Sequence, residues 1–241
     1  MPSKIRLHFP KELQANLLST LSNEQSHYIK NVMRLKPGDI ISLFNAMNGE
    51  WDAKILNHAK ESTEFKVEKL TKNKKLENDL WLAFSPIKKN PLDMMIQKTT
   101  ELGIQKFIPI LAERTIVKEI NIERVKKIII EASEQSNRIS VPKIENLESL
   151  KNFLNQFPKN GCLIFCDINC EKSNLKDILS KKIEGPVCIL IGPEGDFSEK
   201  ERQLIIEKKE IYSLSLATNI LRAETAAIAA VTIVNYHLNF S

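Results

Sequence analysis

Apolar and polar residues alternate along the first seventy positions, and then the period changes. Ile5-Arg-Leu7-His-Phe9, Trp51-Asp-Ala53-Lys-Ile55 and Phe65-Lys-Val67 put every second side chain on an apolar face, the repeat of a half-buried strand. Asp39 to Asn45 is β-rich and follows the turn pair Pro37-Gly38. Asn48-Gly49 separates it from the strand at Trp51, a strong short-range hairpin signal. One helix interrupts: Ser22 and Gln25 stand at capping-box spacing, and Tyr28, Ile29, Val32 and Met33 follow. Short strands, turns and one helix in so short a stretch predict a small β-barrel.

Residues 70–79 form a polar run without periodicity, so the boundary is expected there, with a barrel over 1–72 and a second domain over 73–241. Beyond it, strands are expected at Leu80–Pro86, Phe107–Leu111, Cys162–Cys166, Val187–Ile191 and Tyr212–Leu216. Helices are expected at Pro91–Leu102 (N-cap Asn90, with Gly103 past its end), Ile122–Arg138, Leu147–Phe157 and Ala223–Leu238. Apolar strands alternating with helices predict an α/β domain with a mostly parallel sheet. Ligands of such sheets bind beyond the carboxyl ends of the strands.

Composition changes the picture in one respect. The chain of 241 residues carries a net charge of +5. Residues 1–75 hold 13 basic and 8 acidic side chains, whereas residues 76–241 hold 22 of each. A basic module beside a neutral one suits a polyanionic partner. A solvated linker rich in lysine (Lys69, Lys72, Lys74, Lys75) accounts for much of the same excess. The start lacks the apolar core of a signal peptide, and the longest apolar stretch, Ala226–Val231, is far short of the ~20 residues that span a bilayer. A reducing, cytoplasmic setting without membrane contact is expected, and Cys162, Cys166, Cys170 and Cys188 make no disulfide framework. Within a strand, Cys162 and Cys166 stand ~13 Å apart, and their spacing fits neither a zinc nor an iron–sulfur motif. His8, His27, His58 and His237 are scattered and no serine sits in a nucleophile elbow, so neither metal nor triad chemistry is expected.

Three segments remain. Gly192-Pro193-Glu194-Gly195-Asp196 follows an apolar strand and precedes a helix with Ser198 and Glu201 at capping-box spacing, a turn that lets a ligand approach the main chain. Leu216 to Ala226 again joins strand to helix, with Arg222 and Glu224 at the helix start, where a carboxylate also stabilises the helix dipole. Glu134-Gln135-Ser136-Asn137-Arg138 closes a helix in a dense polar cluster. Taken singly, each reads as a connecting turn or a solvated helix end.

In order, the segments resemble the bacterial 16S rRNA uracil-N3 methyltransferases of the SPOUT superfamily. His27-Tyr-Ile-Lys-Asn-Val-Met-Arg34-Leu-Lys-Pro-Gly38-Asp39 is similar to that family's N-terminal signature, and Lys98-Thr-Thr-Glu101-Leu-Gly103 to its first central motif. Glu134-Gln135-Ser136-x-Arg138, Gly192 to Gly195, and Ile220-Leu221-Arg222-x-Glu224-Thr225-Ala226 follow in sequence. Two places depart from the pattern: Asp196 stands where the family usually has a second glycine, and the family has a glycine near Ala217.

The resemblance implies a SPOUT-type α/β domain with a C-terminal trefoil knot behind a PUA-like barrel. It implies a homodimer, and S-adenosylmethionine bound by Leu190, Gly192, Pro193, Glu194, Gly195, Leu216, Ala217, Ile220, Leu221, Thr225 and Ala226. The RNA substrate implied is 16S rRNA in the 30S subunit, contacted by Lys4, Arg6, Lys30, Arg34, Lys36, Lys88 and Lys89. Arg222, Arg138 and Glu224 are the catalytic candidates, with Arg222 facing the base and Arg138 reaching in from a partner subunit. Two rivals fit the same residues: a SPOUT methyltransferase acting on another RNA, such as tRNA, and a non-catalytic RNA-binding protein of ribosome assembly. A nucleotide hydrolase fits poorly, since phosphate-loop and metal residues are missing.

Overall fold

Alternation in the first seventy residues resolves into five strands: β1 (Arg6–His8), β2 (Leu18–Thr20), β3 (Ile40–Asn45), β4 (Gly49–His58) and β5 (Thr63–Lys72). The computed structural model describes residues 5–74, 77–170, 183–208 and 211–240, so Lys4 and Lys75 lie outside it. The chain divides into two units, Met1–Leu76 with Ser133–Val141, and Glu77–Ala132 with Pro142–Ser241.

In the first unit the inward positions of the alternating segments, Ala53, Ile55, Phe65 and Val67, are all fully buried and pack with Ile29, Ile41 and Leu43. The strand order is β1-β3-β4-β5-β2, with β1 parallel to β3 and the other pairs antiparallel. The path ends at β1 and β2 without a pairing between them, so among the described residues the sheet is mixed and open rather than the expected closed barrel. Strand β2 is missing from the sequence reading because its three residues, Leu-Ser-Thr, are too few to show a period. Ser22 caps α1 (Asn23–His27) through the complete capping box with Gln25. The helix then widens into a π turn over Tyr28–Val32, and Arg34 leaves it in the left-handed region at φ 56°.

The polar centre of this unit is Glu50, whose carboxylate accepts from Ser42 at 2.9 Å, Lys72 at 3.0 Å and Arg6 at 2.9 and 3.1 Å. Arg6 donates further to the carbonyls of Ser133, Glu134 and Arg138, and its guanidinium stacks 4.3 Å from the Phe44 ring centroid. An arginine has five N–H donors, and all five of Arg6 have acceptors here. Arg6 is therefore a structural residue and not the phosphate contact expected of it. Its bonds, with that from His8 N to Glu134 Oε1 at 2.9 Å, tie residues 133–138 into the first unit. No pattern in the sequence signals that attachment, because it joins positions more than 120 residues apart.

In the second unit β6 (Leu80–Phe84), β7 (Lys106–Leu111), β8 (Lys143–Ile144), β10 (Cys162–Cys166), β11 (Val187–Ile191) and β12 (Ile211–Leu214) form a parallel sheet in the order β12-β10-β11-β6-β7-β8; β9 (Glu148–Ser149) also pairs with β7. The connecting helices are α2 (Lys89–Glu101), α3 (Ile122–Gln135), α4 (Leu150–Gln156), α5 (Glu199–Ile206) and α6 (Ala223–Phe240). Helix α2 begins at Lys89 with Lys88 as cap, ahead of the expected Asn90. Pro91 tolerates this because its missing N–H still falls in the first turn. Helix α3 ends at Gln135, short of the expected Arg138, where Asn137 turns left-handed at φ 59°. Gly103, left-handed at φ 104°, ends α2, and Asn235 of α6 donates to the neighbouring Leu102 carbonyl at 2.8 Å.

Burial works against ionisation of Glu50, but the hydrogen bonds from Arg6, Lys72 and Ser42 and the Arg6 charge outweigh it and hold its pKa below the ordinary carboxylate value. A depressed folded pKa contributes stability that is present above the unfolded value and lost as pH falls through the folded one. Glu50→Gln leaves the Arg6 charge buried with a neutral partner and is expected to cost about 3 kcal/mol at pH 7. Denaturant unfolding between pH 7 and pH 3 checks this: the loss on acidification should be smaller in the variant than in the unmodified protein.

Candidate functional site

Strand β11 is buried at all five positions and lies between β6 and β10, where the order of strands along the sheet departs from their order along the chain. A crevice opens at the carboxyl ends of such strands because the loops leave in opposite directions. The chain leaves β11 through Gly192, where a Cβ would stand 2.9 Å from the Phe197 ring. Phe197 is buried and meets Phe165 of β10 edge to face, with centroids 5.5 Å apart, so the ring has no room to yield. The next bend is made by Asp196 in the left-handed region at φ 58°. Its N–H donates to the Pro193 carbonyl at 2.9 Å, and its carboxylate accepts from Phe197 N at 2.8 Å. Asp196 thus takes the conformation that suits the glycine the resemblance places there, and it satisfies the following amide itself. Ala217 is not among the left-handed residues, so its side chain introduces no backbone strain.

Helix α5 binds the loops around this turn to one another. Ser198 and Glu201 form its capping box, and Glu201 also accepts from Glu113 N at 2.8 Å in the loop after β7. Arg114 of that loop donates to the Gly195 carbonyl at 3.1 Å. Arg202 donates through Nε and Nη2 to Asp167, in the loop after β10, at 3.2 and 2.8 Å.

Between the loop after β11 and the segment from β12 to α6 lies a cleft of about 400 Å³. Gly192, Pro193 and Glu194 line one side, and Leu221, Arg222 and Glu224 the other. A narrower recess of about 90 Å³ lies along Leu216–Leu221 and shares Cys166, Ile168, Ile220, Leu221 and Ala226 with the cleft. Arg222 is exposed, while Glu224 in the first turn of α6 is buried. A guanidinium and a carboxylate at the mouth of a largely apolar groove can stabilise a developing anion and hold or accept a proton.

Most of the expected cofactor residues come together here: Gly192, Pro193, Glu194, Leu216, Ala217, Ile220, Leu221 and Ala226. Three do not. Leu190 is fully buried inside β11, Gly195 turns its carbonyl to Arg114, and Thr225 is exposed on α6 outside both linings. Arg138 belongs with the first unit, is buried, and donates to Ser140 Oγ at 2.8 Å. Lys30, Arg34 and Lys36 are exposed in the first unit, and Lys88 and Lys89 are exposed at the start of α2.

Sequence reasoning missed Cys166, Asp167 and Ile168. Their signal was available: β10, like β11, ends at the carboxyl edge of the sheet, but the cysteines drew attention only to metal spacing. Burial pushes the Cys166 thiol up to about 12, so it is protonated at neutral pH and is not a nucleophile. Among the described residues no group of three His, Cys, Asp or Glu is placed to hold a metal ion, and no helix is long and apolar enough to cross a membrane. A second cavity of about 420 Å³ lies at the amino ends of β6 and β7, between Trp81, Lys106, Glu145, Glu148 and Phe157.

Residues 47–235 match the family model described as an RNA methyltransferase domain. Ribosomal RNA small subunit methyltransferase E of Rickettsia conorii is 34% identical over 94% of this chain and 93% of its own length; its namesake from Bacillus subtilis is 29% identical over 90% and 89%. Among solved structures, the Neisseria gonorrhoeae ribosomal RNA small subunit methyltransferase E bound to S-adenosyl methionine superposes with a TM-score of 0.89 at 27% identity, covering 99% of this chain and all of that one. A putative methyltransferase of Legionella pneumophila, in complex with the same cofactor, superposes at 0.85 and 29% identity over 96% and 97%. The match over most of its length, and the close relatives that share it, show that the chain belongs to the RNA methyltransferase domain family.

Proposed function

We propose that this protein transfers the methyl group of S-adenosylmethionine to N3 of a uridine in the 16S rRNA of the small ribosomal subunit. The observation that carries the reading is the cleft at the carboxyl ends of β11 and β12, where the expected cofactor loops meet. Its volume lies within the ~300–1,000 Å³ of small-molecule sites. The exposed side chains of Ile168 and Ile220 offer an apolar surface for a nucleoside. The relatives named for small-subunit rRNA methylation support the substrate class.

The donor, when bound, supplies an electrophilic methyl on a sulfonium. N3 of uracil carries a proton between two carbonyls and must lose it before it can act as a nucleophile. Arg222 is the exposed cation at the cleft, and it stabilises the negative charge that spreads over N3 and its flanking oxygens. Glu224, buried two residues along, orients that guanidinium or takes the proton. Exposed Lys30, Arg34, Lys36, Lys88 and Lys89 supply phosphate contacts, and the target base turns out of its helix to enter the cleft. The reading carries with it a PUA-like role for the first unit, a trefoil knot in the C-terminal part of the second, a homodimer and a cytoplasmic setting. The non-catalytic alternative drew its support from Asp196 and Ala217, and the backbone accommodates both.

Incubation with methyl-labelled cofactor, 30S particles and naked 16S rRNA tests the reading. Label should appear at N3 of one uridine, with the particle as the better substrate; cofactor binding without label on either RNA contradicts it. Arg222→Ala should lower the turnover number about a hundredfold while the cofactor dissociation constant stays within about twofold. A parallel collapse of cofactor binding would make Arg222 a structural residue.

A further inference from the structure

The loop after β10 forms part of the wall of both the cleft and its recess. Cys166 and Ile168 line both, and Asp167 between them lines the recess alone, with its carboxylate 1% exposed and paired with Arg202 of α5. The same carboxylate accepts from Asn169 N at 2.9 Å, and the Asp167 carbonyl accepts from Cys170 N at 3.3 Å. On the other side, Asp167 N donates to the Leu214 carbonyl, the last residue of β12. One side chain and its peptide groups therefore fix the turn, join it to β12, and anchor it to the helix that follows the loop at 192–198.

The consequence concerns Ile168, which is 57% exposed and lines both cavities together with Ile220, 84% exposed. Two large apolar side chains so exposed in one groove are stable partners for a flat apolar ligand surface and are otherwise unfavourably hydrated. Which way residues 166–168 point is decided by where Asp167 is buried, because rotating that residue outward would strand Arg202 and turn Ile168 away from the groove.

We propose that Asp167, held by Arg202, is a positioning residue for the methyl donor: the pair sets the apolar wall made by Cys166 and Ile168 against which the nucleoside part of the cofactor packs. The inference rests on the functional reading above and deepens it. Asp167 acts by holding Cys166 and Ile168 in place, and its effect is on affinity for the donor and not on the chemical step.

Calorimetric titration with S-adenosylmethionine and steady-state methyl transfer to 30S particles test it on the full chain. Asp167→Asn should weaken cofactor binding about tenfold and raise the KM for cofactor in step, with the turnover number at saturating cofactor within about twofold. Arg202→Gln should reproduce that split, and Arg202→Lys should restore most of the affinity. Arg202 keeps a quarter of its side-chain surface exposed, so its variants remain informative if Asp167→Asn fails to fold. Wild-type affinity in folded Arg202→Gln overturns the proposal, as does a fall in turnover number without a change in KM. Failure of the unmodified protein to bind S-adenosylmethionine would instead overturn the functional reading on which the proposal rests.

Discussion

The burial of β11 is the constraint on which the second unit depends. Five consecutive apolar residues, Val187 to Ile191, lie between parallel neighbours on both sides and are covered on both faces. A strand so enclosed has to end in a turn that meets both neighbours' exits, and that crowding demands the features found there. Gly192 lets the chain pass the Phe197 ring, and a left-handed residue at 196 lets it turn into a helix. The cleft is what remains between this turn and the segment that returns from β12.

Helix α5 converts that local crowding into a rigid rim. Its eight residues carry a capping carboxylate that reaches the loop after β7 and a guanidinium that reaches the loop after β10, while its own N-terminus closes the loop after β11. Three loops from three strands are thus referred to one short helix by charge-assisted hydrogen bonds, which are stronger and more directional than neutral ones. The arrangement suits a site that must hold a reactive donor in one orientation. The first unit uses the same device on a larger scale: Glu50 gathers Arg6, Lys72 and Ser42, and Arg6 in turn binds three carbonyls from residues 133–138.

The sequence was most legible where one period ran long enough to be counted. Val187–Ile191 and Cys162–Cys166 form strands over the residues expected, because an unbroken apolar run between turn signals has few alternatives in a parallel sheet. Both capping boxes, at Ser22 and Ser198, were readable from two residues each, since their hydrogen bonds are local. What escaped was set by distant partners. The open path of the first sheet depends on which strands pair at its edges, the attachment of residues 133–141 depends on Arg6, and the wall at Cys166 to Ile168 depends on Arg202. Arg6 shows the limit most plainly: counted as a basic residue it suggested RNA, but all five of its N–H donors are engaged by four acceptor atoms within the protein.

Among the described residues of the second unit, two cavities of similar volume lie at opposite ends of its parallel strands, and they differ in chemistry. The cleft of about 400 Å³ has loop backbone, a guanidinium and exposed isoleucines. The other, of about 420 Å³, has Trp81 already faced by the Lys106 ammonium at 3.9 Å and two neighbouring glutamates. Burial and the Glu145 charge raise the pKa of Glu148 there. A crystal structure of the protein grown with S-adenosylmethionine distinguishes them directly. Density for the nucleoside between residues 192–196 and 216–226, against Ile168 and Ile220, is the result predicted; density beside Trp81 and Phe157, with the cleft empty, would contradict the account.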